Sequence, residues 1–315
     1  MADGQPAQST PSPFVAMFEG FRAELDQHHD RRERIIKASR DITASTSSHS
    51  KGLLVTRISL CKSTNSDRQR RVRTVGQPLP AFVTKSNAPY WETIEKQYKS
   101  ITADLQGLNA HRYSYQITGG NQEFMEALSF QHYLETQALI TYEEAKSKIA
   151  SFSGGDSGDT ESTVSLTPED YILGICDMTG ELMRFSVTSM AVSGKLPSGN
   201  VNSHKRVKRE VSSGEEISGD MMDVDEQDPS SIPSTQQKAC TVLDDLRAIR
   251  LQLEMFEAPG GSKFAHELET KKMPVMRECV DKVEKALYGV TVRGSERPKG
   301  WLPDMGSAKV EVESY

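Results

Sequence analysis

The sequence has few cysteines, and they are scattered: Cys61, Cys176, Cys240 and Cys279 fall in no CxxC or zinc spacing. Nothing at the N-terminus resembles a signal peptide, so the expected compartment is reducing, cytoplasmic and nuclear. No apolar run approaches the length of a bilayer span, and no contact with a membrane is expected. Strand-period alternation with hairpin turns is also missing. What remains is an all-α fold, a single bundle of about seven helices. A basic excess is absent as well: a formal charge of -6 and a pI near 5.7 confine any nucleic-acid contact to a local patch.

Helical periodicity fills most of the 315 residues. Residues 1–11 are small and polar and are expected to be disordered. Ser12-Pro13 then offers an N-cap and a proline in the first turn. Phe14, Phe18, Phe21, Leu25, Ile35, Ile36 and Ile42 follow at helical spacing, with no further proline until Pro78. This predicts one long amphipathic helix into the Leu53-Leu54-Val55 region and as far as Cys61. His28-His29 lies on it beside Asp26 and Asp30, a solvated pair rather than a metal site, because adjacent residues diverge on a helix. Residues 77–87, with Pro78 and Pro80, read as a loop, and Tyr90 to Gln106 as a helix. The helix carrying Glu123 is expected to continue through Leu139-Ile140 to about Ile149, with Gly119-Gly120 at its start or inside it. After a Ser/Gly-rich loop, Thr167-Pro168-Glu169-Asp170 is a strong helix start. Composition shifts at Ser193, and residues 193–237 read as a disordered charged insertion. Periodicity resumes through Val242, Leu246, Ile249 and Leu253 to Pro259-Gly260-Gly261, then from Phe264 to Tyr288 with a kink at Pro274. The helical domain is thus expected over residues 12–192 and 238–305, with a C-terminal tail at 306–315.

Two acidic pairs stand in unusual company. Glu123 and Glu126 are three apart, Asp177 and Glu181 four apart, so each pair shares one face of a helix. Helical acids usually join a solvated face. Here Phe124, Met125, Ala127, Leu128 and Phe130 surround the first pair, and Ile172, Leu173, Ile175, Cys176, Leu182 and Met183 the second. Buried carboxylates cost several kcal/mol unless a cation or good donors answer them. Four of them converging between helices would bind a hard cation, Mg²⁺ or Mn²⁺, through oxygen. A di-iron site is disfavoured because neither helix has a Glu-x-x-His pair. A buried structural network paired with Arg184 and other bases is the alternative.

Basic residues cluster in three places. Arg68, Arg70, Arg71 and Arg73 form a run that suits either a solvated connector or a phosphate-contacting patch. His111, Arg112 and Tyr113, with Tyr115 beyond, mix basic and aromatic character as a single-stranded RNA groove requires, though ordinary packing uses the same residues. Lys205, Arg206, Lys208 and Arg209, ahead of an acidic tract, read as a nuclear import signal or a solvated counterweight.

Taken together, Glu123-Phe124-Met125-Glu126-Ala127-Leu128-Ser129-Phe130-Gln131-His132, Asp177-Met178-Thr179-Gly180-Glu181-Leu182-Met183-Arg184 and Val292-Arg293-Gly294-Ser295-Glu296 resemble the TRAX-type branch of the translin family. The resemblance spans residues 14–192 and 238–305, with three separated motifs in order. It implies an all-α fold and a hollow hetero-oligomer with translin, an octameric shell. In it the TRAX-type subunit is a Mg²⁺-dependent endoribonuclease and translin supplies much of the RNA binding. By position, the family's catalytic carboxylates fall on Glu123, Glu126, Asp177 and Glu181, a set that translin itself lacks. Phosphodiester cleavage would then use Glu126 and Asp177 as direct ligands, with Glu123 and Glu181 completing the shell or holding water as base. Single-stranded RNA, and some single-stranded DNA, are the implied ligands. A scaffold subunit that stabilises and localises translin without chemistry is the competing expectation. The 193–237 insertion, and the basic cluster within it, depart from the family pattern.

Overall fold

The computed structural model describes residues 12–61, 74–152, 164–199 and 240–293. The arginine run at 68–73, the basic cluster at 205–209, both tails and most of the 193–237 insertion lie outside the described residues. Seven helices of eleven residues or more carry the described fold. The exceptions to helix are two two-residue strands: β1 (Thr74–Val75) pairs in parallel with β2 (Ser198–Gly199). The all-α expectation holds.

Helix α1 spans Pro13–Cys61, as the apolar spacing predicts, and its 49 residues run for roughly 73 Å. It joins the bundle only from about His28 onward. Ile35, Ala38, Ile42 and Leu53 are buried, whereas Phe14, Phe18, Phe21 and Leu25 are exposed. Helix α2 (Ala81–Ile101) corrects the expected loop at 77–87. Pro80 sits at its N-cap, and Val83 and Asn87 are buried against the bundle. Pro89 lies within the helix on an exposed position, so the ring meets solvent rather than the core. A 3₁₀ turn (Ala103–Leu105) and short α3 (Leu108–Arg112) lead into α4 (Ser114–Thr136).

Helix α4 is the spine of the fold, packed between α1 and α6. Gly119-Gly120 lies inside it, for a steric reason: a Cβ on Gly120 would stand 3.1 Å from the Ser39 Cα of α1. The expectation that α4 runs on to about Ile149 is corrected. It ends at Thr136, where Gln137 turns left-handed with φ 57°. The Gln137 side chain donates to the Cys240 carbonyl at 3.1 Å and to Asp245 Oδ2 at 2.8 Å, so a distant segment fixes the break. Helix α5 (Tyr142–Phe152) starts afresh, with Thr141 and Glu144 bonding reciprocally as a capping box.

Thr167 caps α6 (Pro168–Ser193) by accepting from the Asp170 N–H at 3.1 Å. Helix α7 (Val242–Glu254) opens on a Thr241/Asp244 capping box. In place of a kink at Pro274, α8 (Lys263–Glu267) passes through a π-turn (Leu268–Lys272) into α9 (Met273–Arg293). Two hydrophobic cores result. One gathers α1, α2, α5 and the first half of α4; the other gathers the end of α4 with α6, α7 and α9.

Candidate active site

Helix α4 has almost no polar face. Ile117, Phe124, Met125 and Leu128 enter one core, and Phe130, Tyr133 and Leu134 the other. Glu123 and Glu126 take the narrow strip that remains, both half-buried. Helix α6 approaches that strip closely because Gly174 has no side chain. A Cβ there would stand 2.4 Å from Met125 Cβ and 2.9 Å from the Gln122 carbonyl oxygen. One and two turns on, Asp177 and Glu181 look onto the same cleft of about 400 Å³ as Glu123 and Glu126. All four predicted carboxylates therefore line one cavity. Ser47, Ser50 and Lys51 of α1, Arg184 of α6 and Lys272 of the π-turn complete its wall.

Burial dominates the electrostatics. It pushes Glu126 up to about 8, helped by the neighbouring charges of Glu123, Glu181 and Asp177. Burial also raises Glu123, with Asp177 adding to it. It raises Asp177 and Glu181 despite the opposing pull of Lys272 on the first and Arg184 on the second. Lys272 Nζ donates to Asp177 Oδ2 at 2.6 Å, and Arg184 Nη1 donates to Glu181 Oε1. Glu181 itself is only 6% exposed, yet its Oε2 has no donor in the geometry of the site. A protonated Glu126 can answer it, and the raised pKa of Glu126 favours that state at neutral pH.

The donor chemistry fits a hard divalent ion: four carboxylates, with the hydroxyls of Ser47 and Ser50 and a Cys176 thiol that burial pushes up to about 12 and so keeps protonated, in a cleft where acids outnumber cations. As the side chains stand, no three His, Cys, Asp or Glu among the described residues are drawn tightly enough together to hold one. Asp177 and Glu181 are instead turned onto Lys272 and Arg184.

The Translin family profile matches residues 30–294. The chain belongs to the Translin family. It is 28% identical to Translin-associated protein X of Mus musculus over 318 residues, covering 96% of this chain and 87% of the mouse protein. It is 33% identical to the Schizosaccharomyces pombe homologue of that protein over 172 residues, covering 55% and 61% of the two chains. Among solved structures, apo-NeC3PO matches with a TM-score of 0.49 at 16% identity, over 90% of this chain and 100% of that one.

The sequence did not point to Lys272 in this translin-family cleft, although a signal was there. Buried apolar positions of α8 and α9 fall at Ala265, Leu268, Met273, Met276 and Val280, and the five-residue step after Leu268 is one too long for an α-helix. That inserted residue is the π-turn, and it carries Lys272 to Asp177. Ser47, Ser50 and Lys51 carry no comparable signal, because the apolar stripe of α1 marks its core-facing positions and not its polar ones.

The other predicted sites are rearranged. Tyr113 is not available to stack on a base: it is buried, and its hydroxyl bonds His28 Nδ1 at 2.5 Å. Arg112 Nη1 donates to the same ring at Nε2, 2.9 Å away. His28 is thus committed to packing, and its neighbour His29 is exposed. His111 and Arg112 remain on the surface with Tyr115, which is 75% exposed under Lys263 Nζ at 5.4 Å from the ring centroid.

Proposed function

We propose that this chain is the catalytic subunit of a divalent-cation-dependent endoribonuclease that cleaves single-stranded RNA in complex with translin, in cytoplasm and nucleus. The observation that carries this reading is the convergence of Glu123, Glu126, Asp177 and Glu181 on one cleft in which burial raises all four. When bound there, Mg²⁺ or Mn²⁺ supplies positive charge to a transferring phosphoryl group and acidifies water. Glu126 and Asp177, one from each helix, would be the direct ligands, with Glu181 completing the shell. Glu123 would hold the attacking water and take its proton. Lys51 and Arg184 at the cleft wall favour an anionic backbone regardless of base sequence. The likeness to proteins named translin-associated supports translin as the partner.

A second reading rests on the pairing of Asp177 with Lys272 and of Glu181 with Arg184. In it the acids are a structural network and the chain is a scaffold that stabilises translin. The deciding experiment is cleavage of labelled single-stranded RNA, including small-RNA strands and transfer-RNA precursor fragments, by the co-purified complex in Mg²⁺. Wild type should cut, EDTA should stop it, and a normally assembled Glu126→Ala complex should be inactive. A Glu126→Ala complex that cuts as well as wild type removes the catalytic reading.

A further inference from the structure

Lys272 occupies an unusual place in the cleft. It is the last residue of the π-turn, its side chain is about four-fifths buried, and its ammonium sits 2.6 Å from Asp177 Oδ2. Its charge also acts on Glu123 across the cleft. A π-turn is a rare irregularity, found as a rule where function asks for a side chain that regular helix cannot deliver. Straightened to α-helix, this segment would lose a residue of register and Lys272 would swing round the axis, away from α6. On the opposite side, Arg184 holds Glu181. Two of the four acids therefore already have cations of the chain's own, which matches the absence of any tight three-ligand group among the described residues.

We propose that Lys272 is a built-in counter-cation that occupies Asp177 until a divalent ion displaces it, and that the displaced ammonium then meets a phosphate of the RNA. The inference rests on the metal-site reading above. The physical basis is simple: an ammonium and a divalent ion compete for one carboxylate, and at close range their charges repel. Lysine is suited to the exchange because its charge is compact and its four-carbon stem is flexible. Retreating from Asp177, it stays within the cleft wall, where an anion bound to the same metal would be its next partner. Lys272 is in this sense a positioning residue for the empty cleft and a substrate contact for the filled one.

The test is Mn²⁺ binding by the full-length chain, in the assembly in which it purifies, followed by calorimetry and by the spin resonance of free Mn²⁺. Wild type, Lys272→Met, Lys272→Arg and Glu126→Gln are compared. Lys272→Met should bind Mn²⁺ at least about tenfold more tightly than wild type, while its cleavage of labelled single-stranded RNA falls. Lys272→Arg, which keeps the charge, should stay near wild type in Mn²⁺ affinity. If wild type binds Mn²⁺ and Lys272→Met binds it equally or more weakly, the competition is refuted and the metal site stands. If no form binds Mn²⁺, the metal-site reading itself falls. Should Lys272→Met not fold, a crystal structure of wild type soaked in Mn²⁺ decides. The Lys272–Asp177 contact must open beyond about 3.5 Å, and an unchanged contact beside a bound ion overturns the proposal.

Discussion

Two glycines six residues apart in α6 should respond to the same substitution with opposite sign. Gly174→Ala places a methyl 2.4 Å from Met125 Cβ, 2.9 Å from the Gln122 carbonyl oxygen and 3.4 Å from the Glu126 nitrogen. Carbon atoms pack at about 3.5–4.0 Å, so α4 and α6 must part by about 1 Å. Neither Met125 Cβ nor a helix carbonyl can swing aside. Overpacking of this kind costs about 1–3 kcal/mol, against which alanine recovers up to about 1 kcal/mol of helix propensity. The net loss should be about 1–2 kcal/mol. Glu126 sits next to the strained contact, so the cleft should widen as well, and a 1 Å misplacement of catalytic groups can lower turnover by about a hundredfold. Gly180→Ala meets nothing within 4 Å. It should gain up to about 1 kcal/mol by propensity alone. Chemical denaturation of the two variants, with RNA cleavage alongside, checks both signs. A Gly174→Ala protein as stable and as active as wild type would refute the claim that this glycine sets the spacing of the acids.

Three further outcomes follow from other parts of the structure. In EDTA, Glu126→Gln should be at least as stable as wild type, since the neutral amide takes the place of a carboxyl already held protonated and can donate to Glu181 as it does. It should also lose the stabilisation by Mg²⁺, about 2.7 kcal/mol in wild type at a hundredfold excess over Kd; equal gains in a thermal melt would count against Glu126 as a ligand. His49 is 1% exposed against Trp91, and burial lowers its pKa to about 4. The amide of Gln131, already bonded to Trp91 and Glu135, opposes this only in part and leaves both ring nitrogens unpaired. The folded state thus favours neutral His49, whose contribution is fully present above pH 6.5 and is lost as pH falls toward 4. The loss is about 3 kcal/mol, and denaturation series at several pH values should show it shrinking in His49→Phe. Finally, the Gly199 N–H donates to the Cys240 carbonyl at 3.0 Å and the Val242 N–H to that of Pro197 at 3.2 Å. Replacing residues 200–239 by a short Gly-Ser turn should therefore preserve folding and raise stability by about 1–2 kcal/mol through loop closure. A variant that fails to fold would show that the excised segment contributes packing.

Local signals carried the elements that were legible in advance. Ser12-Pro13 and Thr167-Pro168 open α1 and α6 where their caps require, and the length of α1 follows from its apolar spacing and lack of proline. The break between α4 and α5 was not legible, because no glycine or proline marks Gln137. Its left-handed turn is held by Cys240 and Asp245, more than a hundred residues on. The Thr141/Glu144 capping box did signal a fresh start, but an apolar run across Leu139-Ile140 masked it. Helix α2 was hidden by its prolines, which tertiary burial of Val83 and Asn87 overrides. At the site, the four acids were legible from their apolar company. Lys272 was not, since reaching Asp177 depends on a π-turn rather than on residue type.

The two sides of the cleft differ in stiffness, and that difference bears on how a charged site survives burial. Glu123 and Glu126 cannot retreat, because α4 is clamped against α1 at Gly120 and against α6 at Gly174, with a hydrophobic core on either flank. Asp177 and Glu181 are equally fixed between Leu173, Cys176, Met178 and Leu182. Such acids would destabilise the fold by several kcal/mol if left wholly unanswered. Lys51, Arg184 and Lys272 offset that cost from the cleft wall, all three on long flexible stems, and Lys272 on an irregular turn besides. On the metal-site reading proposed above, rigid anions with movable cations let Glu126, Asp177 and Glu181 stay in place as oxygen ligands while the cations give way to an ion. Rigid cations would block entry, and fixed acids without cations would leave the empty fold unstable.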